Sequence, residues 1–389
     1  TLDKILAEAD REYQDYKTEV AGYKLPEEKQ AELLRKKYAE IQAALDQKKK
    51  GSRLWKLANR CIYGTDANDR MARTSKMNMI MHGDGHGGVH HHDGFINVNG
   101  IFEERFDIVL TNPPFGANVE LGDVVQEAEV QTSEELRQRY VAEYGAVYEA
   151  GQKKVETAKG KPIASLFDLP KNATSKIKTE ILFIERCLNL LKPGGRMGIV
   201  LPEGVFNNPS LAYVREFCEE RAFIRAVVSL PQETFYSSGA SVKASLLFLQ
   251  KFTLEEKAAF ESQRAAALTE TWAAYAGQIS AEKERLNEAI KAAKRPGGGE
   301  NLKALQKELA EYSKNMDAQV LREARVRFKE RVDYPVFMYD AEHVGISATG
   351  EADYNELYPN DNPPPDMDKT ALDWCQQFVS DPLSIVAGE

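Results

Sequence analysis

The chain contains no run approaching the ~18 consecutive apolar residues that a membrane-spanning helix needs, so no membrane association is expected. It opens on the charged pattern TLDKILAEADREYQDY, which is not a secretory leader. Cysteine is scarce: Cys61, Cys187, Cys218 and Cys375 lie far apart with no CxxC pair, which predicts reduced thiols in a cytoplasmic protein. A basic surplus is also missing, since 51 Lys and Arg face 60 Asp and Glu for a net charge of −9. Proteins that hold DNA unaided draw most of their non-specific affinity from neutralising phosphates. If nucleic acid is the substrate, a partner supplies much of the grip; Lys48-Lys49-Lys50-Gly51-Ser52-Arg53 is a local exception.

The residues present are enough for one sizeable core with additions, or for two domains: 389 residues, 42% hydrophobic and 29% charged. Residues 1 to about 50 read as two amphipathic helices broken at Pro26. RCIYGTD (60–66) is a short apolar run closing on an acid, followed by a helix over ANDRMARTSKMNMIMHG with Gly83 as its C-cap. GVHHHDGFINV and RFDIVLT read as further strands, the latter buried. TEILFIERCLNLLKPGG is a helix stopped by Pro193 and two glycines, and RMGIVLP, IRAVVSLP and KASLLFLQ are strands. Strands alternating with helices predict a parallel or mostly parallel α/β sheet. The last two runs are too close for a helical crossover, so an antiparallel hairpin is expected there, with Gly239 in its loop. Residues 118–176 look like a polar, partly helical insertion. Residues 253–330 are almost all helix formers broken at RPGGG (295–299), an αα-hairpin. It would suit a coiled-coil arm, a partner-binding surface or a solvated prop. The tail NELYPNDNPPPDMDKT (355–370) is acidic, proline-rich and irregular.

The stretch FDIVLTNPPFGANVE (106–120) asks for an explanation. Two prolines cannot donate to a ladder, so the strand ends there. The next residues are held stiffly at the carboxyl edge, where open α/β sheets bind ligands. The side-chain carbonyl of Asn112 and the backbone carbonyl of Pro113 form two fixed acceptors, and Pro114 has no N–H to compete. Such a pair accepts both hydrogens of an exocyclic amino group and stabilises the charge that develops as its nitrogen attacks an electrophile. Phe115 could stack on the ring carrying that group, and a base in a duplex would have to be flipped out to reach it. The plainer alternative is a strand-ending turn with a surface phenylalanine. Five of the six histidines fall between His82 and His92. A zinc site is one reading, but adjacent histidines on a strand face opposite sides and no cysteine is near; a loop beside a ligand pocket is favoured.

FDIVLTNPPFG resembles the catalytic motif of S-adenosylmethionine-dependent N6-adenine DNA methyltransferases. With IYGTDANDRMARTSKMNMIMHG, TEILFIERCLNLLKPGGRMGIVLPEGVF and VVSLPQETFYSSGASVKASLLFLQK, in that order, the chain is similar to the modification subunit of type I restriction-modification systems over roughly 60–117 and 178–251. NPPF alone also occurs in methylases acting on protein glutamine or RNA. The resemblance implies an α/β, Rossmann-like S-adenosylmethionine-dependent methyltransferase sheet of seven strands with a terminal antiparallel hairpin, plus the long inserted α-hairpin. It implies catalytic roles for Asn112, Pro113, Pro114 and Phe115. By the same resemblance Asp66 holds the cofactor's ribose hydroxyls, although glutamate is commoner there. Asp93 accepts from the cofactor's adenine amino group, with Phe95 packed on that adenine. Asp84 is a rival to Asp93, but it follows a helix cap and not a strand.

The family's glycine-rich cofactor loop has no match before Asp66, where Gly22 and Gly51 are isolated, and TLDKILAEAD resembles the helix that would follow it. The expectation is a fragment without the first strand, its loop and the family's N-terminal helical domain. The expected organisation is 1–59, a helical segment; 60–251, the methyltransferase core; 252–330, the arm; and 331–389, a partly irregular C-terminal segment. DYPVFMYDAEHVGISATGE (333–351) resembles a segment after the family's sheet. The implied partners are duplex DNA with a flipped adenine, a specificity subunit and a restriction subunit. Two rival functions remain: a catalytically incomplete fragment or scaffold, and a protein-glutamine or RNA N-methyltransferase.

Overall fold

In the computed structural model, the charged N-terminal pattern folds as α1 (Leu2–Ala21) and α2 (Glu27–Ala44), split at Pro26, whose fixed φ suits a helix start. The structure describes residues 2–82, 87–98, 100–127, 133–169, 176–239, 241–294 and 302–382. They form two units, 1–106 with 113–192 and 107–112 with 193–389.

In the first unit Glu12 of α1 takes Lys37 of α2 and Arg53, each at 2.7 Å. A β-α-β element comes next: β1 (Gly64–Asp66), α3 (Asp69–Met81) and β2 (Val89–His91). Asn68 starts α3 by accepting from the backbone N–H groups of Arg70 and Met71. The two strands pair in parallel, Gly64 with Val89 and Asp66 with His91. Gly83, the expected cap, and Asp84 lie outside the described residues. The chain then runs through β3 (Phe106–Thr111), which from Asp107 on belongs to the second unit. It returns as β4 (Asn118–Val119), the helices α4 (Glu134–Tyr144) and α5 (Ala146–Ala158), β5 (Ile177–Lys178) and α6 (Thr179–Leu190). Helix α6 is buried on nearly every side: Leu182, Ile184 and Leu188 are at most 1% exposed. Each such side chain contributes ~1.5–3 kcal/mol of hydrophobic stabilisation.

The second unit holds a five-stranded sheet in the order β3-β6-β8-β7-β9. Its strands are β6 (Leu191–Pro202), β7 (Ala222–Ser229), β8 (Ala244–Lys251) and β9 (Phe337–Asp340), with α7 (Ala212–Glu219) ahead of β7. Strand β8 pairs antiparallel with both β6 and β7, Leu246 facing Val200 and Val228, so the expected hairpin is present. The arm is α8 (Leu254–Ala293) and α9 (Leu302–Arg331); its RPGGG turn lies outside the described residues. After β9 come β10 (Val344–Ile346), β11 (Ala352–Asn355) and α10 (Ala371–Ser380).

The sheet is mostly parallel with one reversed strand, as expected: β6, β7 and β9 run the same way and β8 opposes both its neighbours. Two expectations change. Among the described residues the seven strands implied by the resemblance do not share one sheet: β1 and β2 pair with each other over three residues, apart from the five-stranded sheet. Strand β3 is not buried. It is the end strand of its sheet, and Ile108 and Leu110 are 55% and 75% exposed.

Candidate active site

Parallel pairing puts the carboxyl ends of β1 and β2 side by side, and each is followed by an aspartate-centred turn. Asp66 closes β1, and its Oδ1 accepts from the N–H of Asn68 at 2.7 Å. The strands stay stitched beyond their ends, since His92 N–H donates to the Asp66 carbonyl at 3.1 Å. Asp93 comes next, and its Oδ1 accepts from the N–H of Phe95 at 2.8 Å. Each carboxylate therefore spends one oxygen on its own turn, and the other has no hydrogen-bond partner among the described residues. Both side chains are half-buried. Two accepting oxygens at adjacent parallel strand ends are suited to hydroxyl and amino donors.

Phe95, expected to pack on the cofactor's adenine, is buried: only 6% of it is exposed, and its ring lies 4.3 Å from the Phe183 ring and 5.7 Å from that of Phe167. It belongs to a core that includes Ile96, Val155, Leu166 and Leu182.

The proline motif crosses the division between the units. On the second unit Asn112 is exposed at the end of β3, and its side chain makes no hydrogen bond to a described residue. On the first unit Pro113 is buried, Pro114 exposed, and Phe115 half-buried where the sequence suggested an exposed ring. Gly116 stands next at φ +73°, a conformation that favours glycine. The segment is then tied down: Lys178 Nζ donates to the Gly116 carbonyl and Thr179 N–H to the Ala117 carbonyl, both at 3.0 Å. Val119 pairs with Ile177.

Three charged residues of α6 carry no signal in the sequence, because an apolar helix with a charged stripe looks like an ordinary surface helix. Glu180, Glu185 and Arg186 are 6%, 2% and 2% exposed. Glu185 accepts the backbone N–H groups of Asp168 and Leu169, each at 2.8 Å. Burial pushes its carboxyl above the usual range, partly offset by those two bonds. Glu180 Oε2 is buried with no partner among the described residues. Arg186 donates three hydrogen bonds into residues 94–97. The neighbouring Cys187 thiol is pushed up to about 12 by burial, which leaves it inert.

The histidine segment flanks the carboxylates. His90 pairs across from Thr65, and the buried Nε2 atoms of His90 and His92 have no partner among the described residues. His91 Nε2 lies 3.0 Å from the Ala67 carbonyl. Among the described residues no three His, Cys, Asp or Glu side chains come together as a metal site. His86 lies outside them.

The sequence profile of the N-6 DNA methylase family matches residues 43–153 and 161–323, well over half of the chain. The chain belongs to the N-6 DNA methylase family. No curated protein matches it. Solved structures similar to this family member include a modification subunit assigned to a type I restriction enzyme from Vibrio vulnificus YJ016, with 20% identity over 53% of this chain and 35% of that one, at a TM-score of 0.35. A structure of complex assembly in a type I R-M system is 23% identical over 62% of this chain and 45% of the other, also at 0.35. The EcoKI M protein is 19% identical over 55% and 35%, at 0.34. The chain spans about a third to a half of the length of these proteins. Methylases named for N-6 DNA chemistry need a methyl donor. The acceptor set here, two carboxylates each with an oxygen to spare, fits the hydroxyl and amino groups of an adenosine-containing cofactor.

Proposed function

We propose that this chain is the catalytic portion of a DNA methyltransferase that moves a methyl group from S-adenosylmethionine to adenine N6, as part of a type I modification subunit. The observation that carries the reading is the pair of half-committed carboxylates, Asp66 and Asp93, at adjacent strand ends of a chain that also ends a strand in Asn112-Pro113-Pro114-Phe115. S-adenosylmethionine supplies a methyl group on a sulfonium, so transfer is a direct displacement with no covalent enzyme intermediate. Asp66 accepts the ribose hydroxyls and Asp93 the adenine amino group of that cofactor. Asn112 Oδ1 and the Pro113 carbonyl accept the two hydrogens of the target amino group. They hold it in line and stabilise the positive charge on its nitrogen during attack. Pro114 keeps the acceptor pair rigid, and Phe115 stacks on the flipped base. Recognition of the DNA sequence falls to a separate specificity subunit, in keeping with the net charge of −9.

The test is methyl transfer from labelled S-adenosylmethionine to unmethylated duplex DNA, with the full-length protein and its partner subunits. The expected product is N6-methyladenine, and Asn112→Ala should lower turnover by about 10²–10³-fold, the usual cost of removing one transition-state hydrogen-bonding group. Label appearing in protein glutamine or RNA instead would transfer the same motif to the rival substrates. No transfer to any acceptor would leave the scaffold reading.

A further inference from the structure

Arg186 is an expensive residue to place where it is. Its side chain is 3% exposed, inside a helix otherwise filled by Leu182, Ile184 and Leu188. A buried ion pair is often no better for stability than well-packed apolar side chains of the same volume, so stability alone is a weak reason for it. Its hydrogen bonds supply a better one. Nε donates to the Gly94 carbonyl at 3.0 Å, Nη2 to the Ile96 carbonyl at 3.1 Å, and Nη1 to Asn97 Oδ1 at 2.6 Å. All three acceptors lie in the four residues immediately after Asp93.

The counter-charge is assembled on the same loop. Glu103 Oε1 stands 3.9 Å from Arg186 Nη1, while Glu103 also accepts from Asn97 Nδ2 at 2.7 Å and from Lys154 Nζ at 3.1 Å. Burial raises the Glu103 carboxyl, but Arg186, Lys154 and Asn97 outweigh it and hold the group below the usual carboxylate range. Asn97 thus bridges the ion pair, and its Nδ2 also donates to the Gly151 carbonyl at 3.0 Å. Gly94 completes the fit, since a Cβ there would come within 3.2 Å of two Phe183 ring carbons.

The carbonyls of Gly94 and Ile96 stand on either side of Phe95, and it is the Phe95 N–H that pins Asp93 Oδ1. A planar guanidinium with donors in a fixed fork can hold two carbonyls and an amide oxygen at once; a lysine ammonium is a point charge without that fork. We propose that Arg186 is a positioning residue for the cofactor site, fixing the Gly94–Phe95 and Ile96–Asn97 peptide planes so that the second oxygen of Asp93 is aimed at the cofactor's adenine amino group. The proposal rests on the reading of Asp93 as the adenine ligand. It assigns Arg186 no contact with substrate or cofactor.

The test compares dissociation constants for two product analogues, S-adenosylhomocysteine and its inosine counterpart, in which the 6-amino group is replaced by a carbonyl oxygen. The unmodified chain should prefer the adenosine form. In Arg186→Lys, which keeps the charge opposite Glu103, adenosine-form binding should weaken about tenfold, while inosine-form binding stays unchanged, so the preference collapses. Asp93→Ala should abolish the same preference, and the double variant should lose no more than Asp93→Ala alone, the signature of two residues acting through one contact. Equal weakening of both ligands by Arg186→Lys would mean general damage to the fold and would overturn the proposal; so would no weakening of either. If Arg186→Lys does not fold, Asn97→Ala removes one of the three acceptors, and a smaller loss confined to the adenosine form is expected; no selective loss overturns the proposal. Failure of the unmodified chain to distinguish the two ligands would instead overturn the reading of Asp93, and the proposal with it.

Discussion

Burial pushes the His90 imidazole down to about 4, with Lys76 and His92 adding repulsion, and its buried Nε2 has no partner among the described residues. His90 is therefore neutral in the folded chain near pH 7, while in the unfolded chain it titrates near the ordinary value of about 6.5. A folded value below the unfolded one has a definite sign: the unfolded chain takes up the proton first. Stability is whole above about pH 6.5 and drains away as the pH falls toward about 4. Thermal melting across that window should show a fall that is shallower in His90→Asn, and parallel slopes would contradict the assignment. At the same scale, the place of Asp66 at a strand end was legible because RCIYGTD is a short apolar run closing on an acid, whereas Asp93 was singled out by the family resemblance. The surroundings of Phe95 were not legible, since the rings that claim it, Phe167 and Phe183, arrive far later in the chain. Arg186 was illegible for a related reason: nothing near it in sequence says that three acceptors wait for it after β2.

At the scale of elements, the two helices of the arm pack on each other. Thr253 and Glu256 form a reciprocal capping box at the start of α8. Ile279, Met316 and Val320 form a core between α8 and α9, joined by Trp272, Tyr275 and Tyr312. Leu286 is fully buried. Leu286→Ala should cost about 2–5 kcal/mol, the range for emptying a buried leucine site. Urea unfolding followed by helical circular dichroism would measure it, and a loss below about 0.5 kcal/mol would mark the position as a surface site and the arm as a prop. The arm's two helices were legible because helix formers dominate from Leu254 to Ala293, despite Gly277, and again from Leu302 to Arg331. The β7–β8 hairpin was legible from the short spacing of two apolar runs. The limits of other elements were not. The helix before β6 ends at Leu190, ahead of the Lys192-Pro193 step, and the strand already begins at Leu191. Strand β9 looks in sequence like a segment after the sheet, because Phe337–Asp340 is only four residues long and its partner β7 lies over a hundred residues earlier.

At the scale of the whole molecule, an acidic chain of 389 residues belongs to a DNA methylase family yet lacks the basic surplus for holding DNA alone. The profile match runs over the β1–α3–β2 element, the proline motif, α6 and the hairpin, the same blocks that carried the resemblance in the sequence. The division into two units was not legible, because it places Asn112 with one unit and Pro113 with the other in the middle of a single motif. No helix among the described residues is long and apolar enough to cross a membrane. The central claim is that Asp66 and Asp93 form a cofactor site, and calorimetric titration of the chain with S-adenosylmethionine, beside Asp66→Ala, tests it most directly. Binding in the micromolar range that Asp66→Ala weakens is the predicted result; no binding by the unmodified chain, or equal binding by both, would contradict it.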